Sequence, residues 1–456
     1  MKKNEARRPE KHDLFRTRTI GRDMFYALEA NALIYYLSNV LDLPKALFVT
    51  TSLIYTILRV FDALNDPLMG LIVDNGRWKR GKFKPPMLIG ALVGGVSYMF
   101  FFTDFGFRDS RFVIVFLLAY LVWDIFYGLN DIAYWSMLPS LSVDQKVREK
   151  MGAFARICAN IGMFAIMVGW QPLSKALGGD SRAWFQIALG CALAMLFFQL
   201  FTIFGVREKV QTHEQEKTSL AGLWHVLTAN DQLLWTTLSM SLFTIGYMST
   251  TTLSIYFMQY VFGNADMYPV LGAVVGIAQL SSLTIFPLIS NRLNRRSFYA
   301  LATGLVLMGY AIFFFADSSL GLISLAALFL FVGQAFIQLL MLMFLADTVE
   351  YGQLKLGKRN ESITFSVQPL INKIGGAVAM GLTSFCLLLS GVKAGDTAAE
   401  VLDAGGELTI KIFMLVLPLV FILLGYWIYC RKYIISEDYY SKIVRELEQK
   451  GELNVH

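Results

Sequence analysis

The sequence predicts an all-α integral membrane protein with twelve transmembrane helices in two six-helix bundles. Its 456 residues are 55% hydrophobic and only 16% charged, whereas soluble domains run nearer a quarter charged. Aromatic residues make up 14%, with 36 Phe, which suits a surface solvated by lipid better than one solvated by water. The apolar residues also gather into about a dozen stretches near the roughly 20 residues that a helix needs to cross a bilayer. Together these features exclude a disordered chain, a coiled coil and a disulfide scaffold.

The stretches fall near residues 22–42, 46–73, 86–103, 112–139, 152–175, 183–206, 233–262, 268–290, 298–316, 318–347, 363–392 and 411–430. Residues 183–206, 233–265 and 318–346 contain no charge at all. Twelve spans put both termini on one side. Of the 40 Lys and Arg, 31 fall in the tails and even-numbered loops or at the span ends beside them and 7 in the odd-numbered loops or at the span ends beside them, while Arg59 and Lys373 lie deeper within spans. Positive charge marks the cytoplasmic side, so both termini are expected in the cytoplasm. The net charge of +6 therefore reflects membrane topology, and nucleic-acid binding is not expected. The basic N-terminus lacks a cleavable signal pattern, so the first apolar segment is expected to stay as a helix.

Cys158, Cys191, Cys386 and Cys430 lie in apolar segments without CxxC spacing, and His12, His213, His225 and His456 lie in tails or loops. Disulfides, a zinc site and enzymatic chemistry are accordingly not expected.

Residues 1–21 read as a cytoplasmic tail, 22–206 as one six-helix bundle, and 207–232 as a central cytoplasmic loop. Residues 233–430 read as the second bundle, and 431–456 as a cytoplasmic tail with an amphipathic helix. A weak repeat supports the division: Asp66-Pro67-Leu68-Met69 ends the second span, Phe286-Pro287-Leu288-Ile289 ends the eighth, and each leads into a basic loop. Two such halves around a midplane site is the major-facilitator plan.

Charges inside spans cost roughly 2.5–3.5 kcal/mol or more unless they meet a partner or water, so they mark function. The first half carries Asp23, Glu29, Arg59, Asp62, Asp66, Asp124, Asp131 and Arg156, and the second half essentially one deep charge, Lys373. In RVFDALNDPLMG, Arg59, Asp62 and Asp66 share one helix face. Two carboxylates one turn apart invite a cation or a proton, Asn65 adds a neutral oxygen, and Pro67 can loosen the backbone nearby. The competing reading is an Arg–Asp clamp between helices, but one Arg cannot neutralise two Asp.

Asp131 and Trp135 lie one turn apart in YGLNDIAYWSMLP. The carboxylate could take paired sugar hydroxyls while the ring stacks on a pyranose. An ion-paired aspartate and an interfacial tryptophan fit the spacing equally well. Asp124 has no separate role in this reading. Asp23, beside Arg22, and Arg156 read by position alone as interface anchors. Lys373, beside Asn372 and before Gly375-Gly376, is expected to seek Asp62 or Asp66. The basic run GRWKRGKFKPP reads as a solvated cytoplasmic face.

Together these residues resemble the glycoside–pentoside–hexuronide:cation symporters over nearly the whole chain. The resemblance is strongest in RVFDALNDPLMG followed by RGKFKP, in NDIAYWSMLP, in ADTVEYGQLKLGKRNESITFSVQ and in the following NKIGG. It implies that Asp62 and Asp66 are cation-site carboxylates, metal ligands if the cation is sodium, with Asn65 tuning cation choice. It implies that Asp23, Asp131, Trp135 and Arg156 bind sugar, with Arg22 standing where a relative has lysine. Tyr127 and Gln368 match positions near the sugar, and Lys373 matches a lysine that ties the two sites together. Three positions depart from the pattern. Gly128 stands where a sodium-coupled member offers a threonine hydroxyl, Gln338 replaces a tryptophan, and Pro369 replaces a threonine.

The resulting expectation is a symporter in the bacterial cytoplasmic membrane that imports a glycoside with sodium or a proton by alternating access. No cofactor, nucleic acid or obligate protein partner is expected. The alternative is a lysolipid or amphiphile symporter on the same architecture, against which the polar group Asp23, Asp131 and Arg156 argues.

Overall fold

A computed structural model describes residues 18–41, 43–76, 78, 81–142, 144–206, 210–211, 220–264, 267–316, 319–391, 404–452 and 454–455. The described residues form fifteen α-helices and one two-stranded pairing. The chain divides into two compact units: Met1–Trp224 with Asn360–Ser366 and Gly451–His456, and His225–Arg359 with Val367–Lys450.

The first unit contains α1 (Arg18–Tyr35, extended by a π turn at Tyr36–Val40), α2 (Lys45–Asn75), α3 (Lys84–Phe101), α4 (Ser110–Leu141), α5 (Gln145–Ala176) and α6 (Ser181–Gly205). Three of these helices start where a carboxylate takes orphan backbone amides. Asp109 accepts from Arg111 N at 3.0 Å, Asp144 from Lys146 N at 2.8 Å and Asp180 from Ala183 N at 2.9 Å. An aromatic core of Phe25, Tyr36, Tyr98, Phe101, Phe102, Tyr120, Trp123 and Trp184 fills the unit, with Phe25 and Tyr98 stacked at 3.9 Å. Outward-facing side chains such as Leu193, Phe197 and Phe204 on α6 are apolar, as lipid contact requires.

Small residues fix α1 against its neighbours. A Cβ on Gly21 would lie 2.5 Å from the Ala194 carbonyl oxygen of α6, and one on Gly162 of α5 would collide with the Ile20 carbonyl oxygen. Thr19 Oγ1 donates to Ala155 O at 2.7 Å, and Tyr98 Oη to Phe25 O at 3.0 Å. These contacts set the axial position of the polar stretch Arg22–Asp23. Near the end of the unit, β1 (Val210–Gln211) pairs antiparallel with β2 (Asn454–Val455), and α7 (Leu220–Ala229) follows β1 in the chain.

The second unit contains α8 (Asp231–Tyr256, then a π turn at Phe257–Val261), α9 (Tyr268–Ser290), α10 (Arg295–Phe314) and α11 (Leu320–Leu356). Most of α12 (Glu361–Leu389) follows, then α13 (Ala404–Lys411), a π turn at Ile412–Val416, α14 (Leu417–Lys432) and the amphipathic α15 (Glu437–Gln449). Asn230, Asn294, Ser319 and Ser436 cap α8, α10, α11 and α15. Gly357 ends α11 at φ +68°, its N–H donating to Gln353 O at 2.9 Å.

Counting α13 and α14 as one stretch and setting aside the short α7 and α15, twelve long helical stretches are present among the described residues. Eight helices among those residues are long and apolar enough to cross a membrane by length and composition. That number leaves out α1, which carries Arg18, Arg22, Asp23 and Glu29 within 18 residues.

Several details differ from the sequence expectation. The first described helix already includes Arg18, four residues before the expected start at residue 22, and Arg18 finds buried partners there. The second helix, α2, passes through Pro67 and runs on to Asn75, past the expected end of the second span at residue 73. The central loop contains the apolar α7. The tenth span was expected to end at residue 347, but α11 continues to Leu356. Its extension is held by buried ion pairs: Arg295 with Asp347, and Arg359 Nη2 with Glu350 Oε1 at 2.9 Å. Buried charge in the second half is thus not confined to Lys373.

Candidate substrate and cation sites

The first unit gathers Arg22, Asp23, Tyr127, Asp131, Trp135 and Arg156 from α1, α4 and α5. Neighbouring helix residues do not normally face each other, yet the long stem of Arg22 turns its guanidinium back onto Asp23. Nε donates to Oδ2 at 3.0 Å and Nη2 to Oδ1 at 2.9 Å, a bidentate pair. The remaining arm, Nη1, donates to Asp131 Oδ1. One arginine therefore ties the two carboxylates together across α1 and α4.

Trp135, one turn beyond Asp131, lies beneath two cations. The Arg22 and Arg156 guanidinium carbons are 5.3 Å and 5.0 Å from its ring centroid, within cation–π range. Arg156 forms no ion pair among the described residues, so its N–H donors are available to a ligand. Tyr127 sits in an aromatic stack, 5.3 Å from Trp123 and 5.7 Å from Tyr26. The group thus combines two carboxylates that accept hydroxyl protons, a guanidinium that donates, and aromatic faces for C–H surfaces.

Asp62, Asn65 and Asp66 are all buried on α2, at 7%, 3% and 2% relative exposure. Asn65 Nδ2 donates to Asp124 Oδ2 of α4 at 3.3 Å. Gly128, one turn further along α4, faces the same place: a Cβ there would lie 3.7 Å from Asp66 Oδ1 and 3.9 Å from Asn65 Nδ2. The two carboxylates suit a hard monovalent cation or a proton, and Asn65 turns its amide nitrogen toward α4. Gln368 and Lys373 stand half-buried on α12 in the second unit.

Two features escape a reading of the sequence alone. Arg18, assigned there to the tail, is fully buried. Its Nε donates to Gln199 Oε1 at 3.2 Å, Nη2 to Asn130 Oδ1, and its guanidinium lies 4.3 Å from the Tyr134 ring. Asn130 and Gln199 both donate to the Met87 carbonyl. This network pins four helices directly beside Asp131. The partners are 112 and 181 positions away from Arg18, beyond the reach of periodicity.

Lys82, read as part of a solvated basic run, bridges Asp74 at 2.8 Å and Glu361 at 2.6 Å. Asp74 also accepts the backbone amides of Ser362 and Ile363 at 3.1 and 2.8 Å, which caps the start of α12. Burial alone would lower the Lys82 pKa, but the two carboxylates outweigh it and raise it.

Comparison with known proteins identifies the architecture and the family. The family described as MFS/sugar transport protein matches residues 17–437. The lactose permease of Lactobacillus delbrueckii subsp. bulgaricus is 34% identical over 444 residues, covering 94% of this chain and 70% of the relative. The raffinose carrier protein of Pediococcus pentosaceus is 32% identical over 448 residues, with the same coverages. Among solved structures, the major facilitator superfamily transporter FucP in its outward conformation superposes with a TM-score of 0.63 at 13% identity, over 91% of this chain and 99% of that one; that likeness shows the fold alone. The chain belongs to the MFS/sugar transport protein family, and is a multi-pass membrane sugar transporter of the glycoside–pentoside–hexuronide symporter type rather than an enzyme.

Proposed function

We propose that the protein imports a neutral glycoside, a di- or oligosaccharide, together with sodium or a proton by alternating access, from a membrane in which both termini are cytoplasmic. The observation that carries this reading is the Arg22 bridge between Asp23 and Asp131 beside the Trp135 ring. In the sugar-bound state, paired hydroxyls take the place of guanidinium N–H groups on Asp23 and Asp131. Arg156 donates to a further oxygen, and the Trp135 ring covers the apolar face of a pyranose. The two carboxylates are balanced by Arg22 and Arg156, and a group without net charge suits a neutral glycoside. The lactose and raffinose carriers among the relatives support a galactoside-containing sugar.

Asp62, Asp66 and Asn65 hold the cation in this reading. Charge added there lowers the cost of keeping the nearby carboxylates ionised in a dry environment, which stabilises the sugar-binding geometry. Gln368 and Lys373 are proposed to contribute from α12.

The test is uptake of lactose, raffinose and methyl β-glucuronide into proteoliposomes, with sodium and proton gradients imposed separately. Accumulation of a neutral glycoside under one of the two gradients is expected. Preference for the glucuronide would overturn the neutral assignment. Absence of sugar uptake together with uptake of a lysolipid would overturn the sugar reading.

A further inference from the structure

We propose that Asp124 is a positioning residue for the coupling cation and acts through Asn65; this rests on the cation reading of Asp62, Asp66 and Asn65 above. Asp124 lies on α4, two turns from Asp131, and has no place among the sugar contacts. Its carboxylate accepts from Asn65 Nδ2 at 3.3 Å, and both side chains are buried, at 2% and 3% exposure.

Asp124 Oδ2 is the acceptor in this contact, so it selects one of the two orientations of the Asn65 amide: nitrogen toward α4, carbonyl oxygen away from it. The carbonyl oxygen is the only end of that amide able to coordinate a cation. Without Asp124 the amide can turn over and present N–H donors, which repel a cation. The second feature of this face is Gly128, one turn from Asp124, whose missing side chain leaves α4 without an oxygen opposite Asp66 and Asn65. On α4, control of the site therefore passes through Asp124 and the orientation of Asn65.

Lactose binding to the purified full chain is measured against NaCl at fixed pH and against pH in sodium-free buffer, using whichever stimulates the wild type. Asp124→Ala is expected to raise the half-stimulating cation concentration about tenfold, as expected for a hydrogen bond to a charged group, while lactose affinity at saturating cation stays within about twofold. Asp124→Asn keeps the volume but can also donate to the Asn65 carbonyl, so it no longer selects one orientation and is expected to lose several-fold, less than the alanine variant. It carries the test if the alanine variant does not fold, and wild-type cation dependence in Asp124→Asn would overturn the proposal.

In an Asn65→Ala background, Asp124→Ala is expected to add nothing, the non-additivity of two residues acting as a unit. Full additivity, or an equal loss of lactose affinity at saturating cation, would show that Asp124 acts structurally or by charge alone. If Asp62→Ala abolishes cation stimulation while Asp124→Ala leaves it unchanged, this inference fails and the cation site stands. If neither changes it, both fail.

Discussion

Gly128→Thr restores a hydroxyl to α4 beside the cation carboxylates, and the geometry there sets the expected effect. A Cβ would meet Met69 Cγ at 3.6 Å, Asp66 Oδ1 at 3.7 Å and Asn65 Nδ2 at 3.9 Å, all ordinary contact distances, so the Cβ itself enters without overpacking. Replacing a mid-helix glycine is itself neutral to favourable by a few tenths of a kcal/mol. The hydroxyl can serve as a further cation oxygen or donate to Asp66. A hydrogen bond of that kind contributes about 1.5 kcal/mol, roughly a tenfold change in affinity.

Sodium titration of lactose binding should therefore show about tenfold tighter sodium dependence in Gly128→Thr and no change in Gly128→Ala, which adds the same Cβ without an oxygen. Equal behaviour of the two variants would mean that the hydroxyl does not reach the cation. Thermal destabilisation of both by several degrees would mean that α2 and α4 approach more closely than these distances.

Three further outcomes follow from the packing and the ion pairs. Trp135→Ala should weaken sugar binding about tenfold or more, since one aromatic face contributes around 1.4 kcal/mol, and leave the cation dependence in place; unchanged sugar affinity by calorimetry would remove Trp135 from the site. Gly162→Ala should lower the thermal midpoint in detergent, because the new Cβ strikes the Ile20 carbonyl at a cost of about 1–3 kcal/mol, whereas Gly95→Ala, with nothing within 4 Å, should be neutral or stabilising. Lys82→Met leaves Asp74 and Glu361 facing each other and should cost about 3 kcal/mol; adding Glu361→Gln should recover part of the loss, and a double variant less stable than Lys82→Met would contradict the pairing.

The sequence exposed those features whose cost a hydropathy reading can register. Charges in the middle of apolar spans stand out because lipid penalises them, so Asp23, Asp62, Asp66, Asp131 and Arg156 were visible as exceptions, and the fold class followed from segment length and loop charge. The clustering of Arg22, Asp23, Asp131, Trp135 and Arg156 needed three dimensions, since spacing alone left Asp131 and Trp135 open between a sugar platform and an interfacial pair.

Charges near helix ends gave no such signal. Arg18, Asp347, Glu350 and Arg359 look solvent-bound in sequence, yet their pairing partners bury them and lengthen α1 and α11. Lys82 was hidden for the same reason: a basic loop reads as solvated until Asp74 and Glu361 are seen around one of its ammonium groups. Asp124 was visible as a charge but had no role until Asn65 was found 3.3 Å away.

The most direct test of the coupling claim is sugar affinity with and without the coupling cation, in the wild type and in Asp62→Ala side by side. Coupling between two sites typically spans about 5–150-fold. The wild type should bind lactose at least about fivefold more tightly at saturating cation, and Asp62→Ala should show the same affinity in both conditions. A wild-type ratio of one, or a ratio that survives loss of Asp62, would contradict the account.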